Sequence, residues 1–199
     1  HDGIHTFHVG KNANVRYEEK HYGEGDPGTT GKRLMNPTTV VHLKEDAQMV
    51  METSQIAGID DTLRITKADL ADRAKLEIHD SIMTTGDQNA EAEFTADLNG
   101  EDCSCNIISR TVAKGNSKQH YTSTLNGNNR CAGHTECDSI LMDQAYVLAT
   151  PQLSAATMEA SLIHEAAIGK IAGEQLIKLM TLGLTEEEAE EQIISGFLK

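Results

Sequence analysis

The chain has no Trp, three Phe, four Tyr and only three Pro among its 199 residues. With aromatics at 4%, a core must be assembled from Val, Ile, Leu, Met and Ala, which suits a thin, repetitive interior better than a thick one. Basic charge is also scarce: 17 Lys and Arg stand against 31 Asp and Glu, a formal net charge of -14. A body of that sign repels phosphate backbones and anionic lipid, so nucleic acid and membrane surfaces are not expected as partners. No apolar run approaches the roughly 18 residues of a membrane span. The opening His1-Asp2-Gly3-Ile4 has neither the basic stretch nor the apolar run of an export signal. The four cysteines are Cys103, Cys105, Cys131 and Cys137. A chain of this length folds as one domain, or one domain with an appendage, and needs no crosslinks to do so. Reduced thiols are therefore expected in preference to two disulfides.

What the chain does have is repetition. A polar residue, a small residue, a spacer and two larger residues one apart recur, as in Asp46-Ala47-Gln48-Met49-Val50-Met51 and Arg73-Ala74-Lys75-Leu76-Glu77-Ile78. The small residues are Ala13, Ala47, Ala74, Ala90, Ser117 and Ala145, at intervals of 34, 27, 16, 27 and 28. Each copy reads as a turn followed by a short alternating strand. Such a strand cannot bury its inward face alone, but stacked copies share a continuous core. The spacing fits a β-helix with small residues at its tight corners. An antiparallel sandwich also repeats turn-strand units and stays open as the alternative, because the intervals are uneven.

Gly23 to Pro37 reads as a surface excursion. Its Gly31-Lys32 is not a phosphate-binding loop, since the positions that such a loop fills with Gly and Ser or Thr hold Asp26 and Arg33. ATP chemistry, if any, belongs to a partner. Near the C-terminus the period changes to helical. Leu176, Ile177, Leu179 and Met180 share one face, Gly183 is a stop, and Thr185-Glu186-Glu187-Glu188 is a capping box. Ala189, Ile193 and Phe197 continue the second apolar stripe. Two short amphipathic helices thus follow a β body. They either cap its end or dock another protein, and sequence physics weighs these equally.

His164-Glu165 is not the start of a zinc-protease helix, because position 168 is Ile. Cys103-Ser104-Cys105 resembles half a thiolate metal site, but alternation puts both thiols on one face, and two buried packing thiols are the more common arrangement. Cys131 and Cys137 bracket His134 and Glu136, placing thiol, imidazole and carboxylate within seven residues. Those donors suit iron, zinc or copper. A solvated loop with one or two core cysteines is the simpler account of the bare cluster.

Larger motifs carry a resemblance. Residues 161–171, Ser-Leu-Ile-His-Glu-Ala-Ala-Ile-Gly-Lys-Ile, lead into Glu174-Gln175-Leu176, then Leu182-Gly183-Leu184, Glu186-Glu187-Glu188-Ala189 and Gly196-Phe197. With Gly133-His134-Thr135-Glu136-Cys137-Asp138-Ser139 upstream, this order and spacing resembles the SufB/SufD family of iron–sulfur cluster assembly proteins, especially its short archaeal-type members. The likeness is sharp from about Gly133 to Phe197. It implies a mainly β protein: a right-handed parallel β-helix with a short C-terminal helical segment, divided as a core of residues 1–168 and an ATPase-docking segment of residues 169–199.

The resemblance further implies a cytoplasmic, non-enzymatic scaffold. It would carry a transient iron–sulfur cluster, pair with itself or a sister SufB/SufD subunit along terminal strands, and dock a SufC-type ABC ATPase. A sulfur donor protein is a possible further partner. Cys137 matches the family's sulfur-accepting or iron-ligating thiol, and His164 and Glu165 match its His-Glu pair. Glu165, where SufD-type chains usually carry Gly, makes the site SufB-like. Ile163 stands where many members have Glu, and Leu148 where many have His, so His134 or Glu136 is expected to complete the ligand set. Another class of function is a structural partner that organises an ATPase dimer without binding a cluster. A β-helix enzyme acting on carbohydrate or acyl groups would need a carboxylate-lined groove or strict hexapeptide repeats, and no such repeat is evident.

Overall fold

The computed structural model describes residues 2–24 and 31–198. His1, Asp26 with the rest of residues 25–30, and Lys199 lie outside the described residues. Strand follows strand until residue 169, because alternating sequences are interrupted every ten residues or so by a turn that only certain residues can make. Among the described residues, five that are not glycine adopt the left-handed conformation: Asn12, Asp46, Arg73, Asp102 and Asp143. Asn and Asp are the side chains that tolerate it best. At one corner the left-handed residue precedes a small one, as in Asp46-Ala47 and Arg73-Ala74, and Ala47 and Ala74 are fully buried. At the other corner Gly86, Gly115 and Asp143 take the positive φ.

Among the described residues, thirteen strands run between these corners, all paired in parallel. β1 (Ile4–Val9), β3 (Leu34–Met35), β4 (Thr38–Leu43), β6 (Asp61–Leu70), β8 (Asn89–Leu98), β10 (Lys118–Gly127) and β12 (Tyr146–Ala155) form one sheet. β2 (Asn14–Tyr22), β5 (Gln48–Ala57), β7 (Lys75–Thr84), β9 (Cys103–Ala113), β11 (Cys131–Leu141) and β13 (Ala160–Gly169) form the other. The chain alternates between sheets, so it is a parallel β-helix, and the sandwich alternative is excluded. The uneven intervals have a geometric cause. Ala13, Ala47 and Ala74 enter the second sheet, whereas Ala90, Ser117 and Ala145 enter the first. The interval of 16 is half a turn and 27 or 28 a whole one. The interval of 34 is a whole turn lengthened by the excursion after β2.

Each turn bonds to the next through its corners. The backbone N–H of Asp46 donates to Asp72, that of Arg73 to Glu101, and that of Asp102 to Arg130, at 2.9, 2.8 and 2.7 Å. Their side chains pair along the same line. Arg73 grips Asp46 and Glu45, and Arg130 grips Asp102 and Glu101. Inside, Val41, Leu43, Met49, Met51, Leu70, Ile78, Leu98 and Ile107 are almost wholly buried. The small cross-section explains why three Phe and no Trp suffice. A buried ion pair crosses this core: Arg64 from β6 donates to Asp80 of β7 at 2.5 Å, and Thr53 of β5 donates to the same oxygen.

Two helices follow, α1 (Gly173–Met180) and α2 (Glu186–Phe197). The capping box forms as read: the Thr185 hydroxyl accepts from Glu188 N–H, and the Glu188 carboxylate accepts from Thr185 N–H. α2 buries Ala189 and Ile194. It is tied to the flank of the solenoid through Ser81, which donates to the Leu198 carbonyl at 3.0 Å, and through Lys114 with Glu190. α1 buries none of its residues and leaves Ile177 and Met180 exposed, with Leu182 just beyond. No helix of the described residues is long and apolar enough to cross a membrane.

Breaking the buried pair should cost far more than breaking a corner pair. Asp80→Ala leaves Arg64 charged and unpaired in the core, a loss of about 3–5 kcal/mol. Arg73→Ala removes solvent-exposed bonds and should barely move the midpoint. Urea unfolding of the two variants measures the difference, and equal midpoint shifts would contradict this account of the core.

Candidate functional site

All five residues singled out as metal or cluster ligands fall on two neighbouring strands at one end of the solenoid: His134, Glu136 and Cys137 on β11, His164 and Glu165 on β13. The register puts Thr135 beside His164, Glu136 beside Glu165 and Cys137 beside Ala166. Alternation then divides them. Cys131, Gly133, Thr135, Cys137 and Ser139 point inward and are buried, while His134, Glu136 and Asp138 point outward. His164 follows the inward set and Glu165 the outward one. Sequence proximity suggested that Cys137 stands with His134 and Glu136. The structure places it on the opposite face of the strand from both, because they are an odd number of residues away.

The inward group is a thiol in a polar lane. In the second sheet, one inward column reads Glu19, Thr53, Asp80, Ser109, Cys137 and Ala166 from turn to turn. Four of these, Thr53, Asp80, Ser109 and Cys137, are buried. Asp80 Oδ2, Arg64 Nη1, Ser109 Oγ and Ser123 Oγ are buried without a hydrogen-bond partner among the described residues. Cys137 is the last buried member, one strand beneath the end of the solenoid. Burial pushes its thiol up to about 11, with the Asp138 and Asp80 carboxylates adding to the effect. His164, beside Thr135 in the register, is on the same inner side, and its Nδ1 is also buried without a hydrogen-bond partner among the described residues. Gly133 leaves room for the leucine tips packed on it: a β-carbon would meet Leu162 at 2.7 Å and Leu125 at 3.0 Å and displace them.

Cys103 and Cys105 both face the core, as alternation in the sequence predicts, and burial pushes them to about 11 and 12. Burial therefore does not separate Cys137 from them. All four cysteines are free and buried. What distinguishes Cys137 from Cys103 and Cys105 is its polar column and its place on β11, one strand from the open end.

The outward group is a cluster of donors. The ligand atoms of His134, Glu136 and Glu165 all lie within 4.8 Å of one another, and His134 Nε2 is 3.8 Å from Glu165 Oε2. His134 Nδ1 bonds to Asn106 Oδ1 at 2.8 Å. Partial burial holds the Glu136 carboxyl above the usual range, and neighbouring Asp138 pushes it further. Asn106 escaped the sequence reading, although it precedes His134 by 28 residues, one turn of the repeat. Ile163 and Leu148, the two departures from the family pattern, are outward and half exposed.

Beyond these strands the solenoid is open. β12 and β13 end their sheets, each with one edge unpaired among the described residues. From residue 165 onward β13 is exposed on both faces, and Leu153, Ile163 and Ile168 show 42%, 51% and 47% of their surface.

Residues 1–197 match the model of the SufBD core domain of the SUF system for FeS cluster assembly. The chain is similar to an iron–sulfur cluster assembly SufBD family protein of Pyrococcus horikoshii, 31% identical over 201 residues, covering 100% of this chain and 60% of the relative. It is likewise similar to one of Methanocaldococcus jannaschii, 32% identical over 192 residues, covering 96% and 60%. The iron–sulfur cluster assembly protein SufB of Bacillus subtilis is 34% identical over 100 residues, 48% of this chain and 22% of that protein. The chain thus spans about 60% of the length of the first two relatives.

The interior position of Cys137 has a measurable consequence. A thiol whose pKa is raised by folding ionises later than in the unfolded chain. Stability should therefore fall as pH rises from the ordinary cysteine value of about 8.5 toward about 11, because the unfolded state loses its proton first. Alkylation of Cys137 by iodoacetamide should be slow at neutral pH in the folded chain and fast in denaturant. Equal rates would place the thiol outside the solenoid.

Proposed function

The chain belongs to the SufBD family of iron–sulfur cluster assembly proteins, and we propose that it is a scaffold subunit on which a nascent cluster is built with the help of a SufC-type ATPase. The observation that carries this reading is the position of Cys137, held one strand below an open, unpaired solenoid end that also bears His164 and Glu165. A polar column around a cysteine has no packing advantage over an aliphatic one, so it favours a chemical role for the thiol. As a thiolate, Cys137 accepts sulfur or ligates iron. Iron is cargo here, and hard Glu165 and imidazole His164 are suited to its entry.

In this proposal the subunit does no hydrolysis of its own. The open end pairs with a second copy or a sister subunit, whose strands would satisfy the free edges of β12 and β13 and cover Leu153 and Ile168. Because Cys137 and Glu165 lie on opposite faces of adjacent strands, both can reach one cluster only if the β13 edge shifts. ATP-driven closure of the partner is a source for that shift. The helices are its docking point. α2 spends its apolar stripe on the solenoid, so the exposed apolar side of α1 is the stronger candidate surface. Cytoplasmic location and receipt of sulfur from a donor protein belong to the same reading.

Anaerobic reconstitution with ferrous iron and sulfide tests the scaffold role. The chain should retain a labile cluster seen by its visible absorption, and Cys137→Ser should abolish it while folding normally. Cys103→Ser and Cys105→Ser should keep it and lose at most about 1–3 kcal/mol of stability. Retention by Cys137→Ser with loss in a Cys103 or Cys105 variant would put the site on the wrong thiol. The alternative, a structural partner that only organises the ATPase, requires that no variant and no wild type hold a cluster while the ATPase still co-purifies.

Docking is tested separately by co-purification with a SufC-type ATPase. Ile177→Asp with Met180→Asp should eliminate it without unfolding the β body, and removal of residues after Gly183 should weaken it. Undiminished co-purification of both variants would refute docking on the helices.

A further inference from the structure

The outward donors of β11 and β13 form an arrangement of which the scaffold reading uses Glu165 alone. His134 and Glu136 are two residues apart on one strand and so share its outer face. Glu165 joins them from the neighbouring strand, directly beside Glu136 in the register. One imidazole nitrogen and two carboxylates thereby converge, their ligand atoms within 4.8 Å of one another. An ion seated among them would be at bonding distance from all three after small side-chain rotations.

The imidazole is oriented for such a role. Asn106 on β9 accepts from His134 Nδ1 at 2.8 Å, which leaves the lone pair on Nε2, the nitrogen that faces Glu165 at 3.8 Å. A hydrogen bond from the far nitrogen is the usual means of setting the tautomer and direction of a ligating histidine. Charge points the same way. Asp138 extends the row of carboxylates along this face, and the nearest cation in the register is Arg110, which stands beside Asp138 and also acts on Glu136. Ligands on a sheet surface reach only one side of an ion, so its outward positions stay open to water or to an incoming ligand.

We propose that His134 Nε2, Glu136 and Glu165 form a divalent-cation site of ferrous-iron type on the outer face of the solenoid, separated by the thickness of the sheet from the inward thiol of Cys137. Nitrogen and oxygen donors without sulfur favour a hard or borderline ion such as Fe(II), Mn(II) or Co(II) over a soft, thiophilic one. Metal and sulfur are then held in different compartments of the resting chain, one at the surface and one in the lumen. The identity of the ion as iron rests on the scaffold reading, whereas the existence of the site does not.

Anaerobic titration of the metal-free chain with Co(II) alone, without sulfide or ATPase, tests it. One ion per chain is expected, with ligand-field bands of nitrogen and oxygen coordination and no thiolate charge-transfer band. His134→Ala, Glu136→Gln and Glu165→Gln should each weaken binding at least about 10-fold, and Asn106→Ala by about 10-fold through loss of the orienting bond. Cys137→Ser should bind as tightly as wild type. The carboxylate-to-amide changes are isosteric and at the surface, and circular dichroism verifies that each variant is folded. A charge-transfer band that disappears in Cys137→Ser, or Co(II) binding that survives in the Glu136→Gln, Glu165→Gln double variant, would overturn the site. Because cluster reconstitution depends on Cys137 and this titration does not, the two readings fail independently.

Discussion

In-register parallel pairing is the constraint from which the rest of this molecule follows. Once a turn of the solenoid must lie directly on the last, a residue's depth is set by its parity along the strand, and its neighbours are set by the length of a turn. Asp46 meets Arg73, and Asp102 meets Arg130, because each is 27 or 28 residues from its partner. The corners enforce the register. They admit left-handed residues followed by small ones, and a slip of one residue would turn every inward side chain out.

The same constraint sorts chemistry by face. Inward positions hold the apolar core together with buried polar side chains, among them the joined Arg64, Asp80 and Thr53 and the column whose final buried member is Cys137. Outward positions of the same strands carry the charges of an acidic surface and gather His134, Glu136 and Glu165. A thiol held neutral by burial and a set of hard donors exposed to solvent differ in reactivity as well as place. Two adjacent strands thereby offer two environments without any extra element.

Much of the architecture was legible in the chain itself. The corner pattern gave the turn-strand units, and the alternation in Cys103-Ser104-Cys105 placed both thiols in the core. The capping box at Thr185 and Glu188 located the last helix. The motifs around Cys137 and His164-Glu165 pointed to the family that comparison confirms. The uneven intervals concealed two different corners, since Ala90 begins a strand of one sheet and Ala74 a strand of the other. Residues 131–137 read as a loop cluster because Ala132, Gly133 and Glu136 are poor strand formers. Their parity, had the segment been taken as a strand, already separates Cys137 from His134 and Glu136.

By itself, then, the sequence determined the local rules: where the chain turns, which side chains alternate, where the helices start, and which motifs it shares with a family. These depend on backbone conformation and on residues a few positions apart. Only the tertiary structure decided that Glu165 lies beside Glu136 while Cys137 lies beside Ala166, and that Asn106 orients His134. It also decided that α2 rests on the solenoid while α1 stays exposed. Those outcomes rest on stacking register and packing between distant segments, and no local preference encodes a contact across a whole turn of the helix.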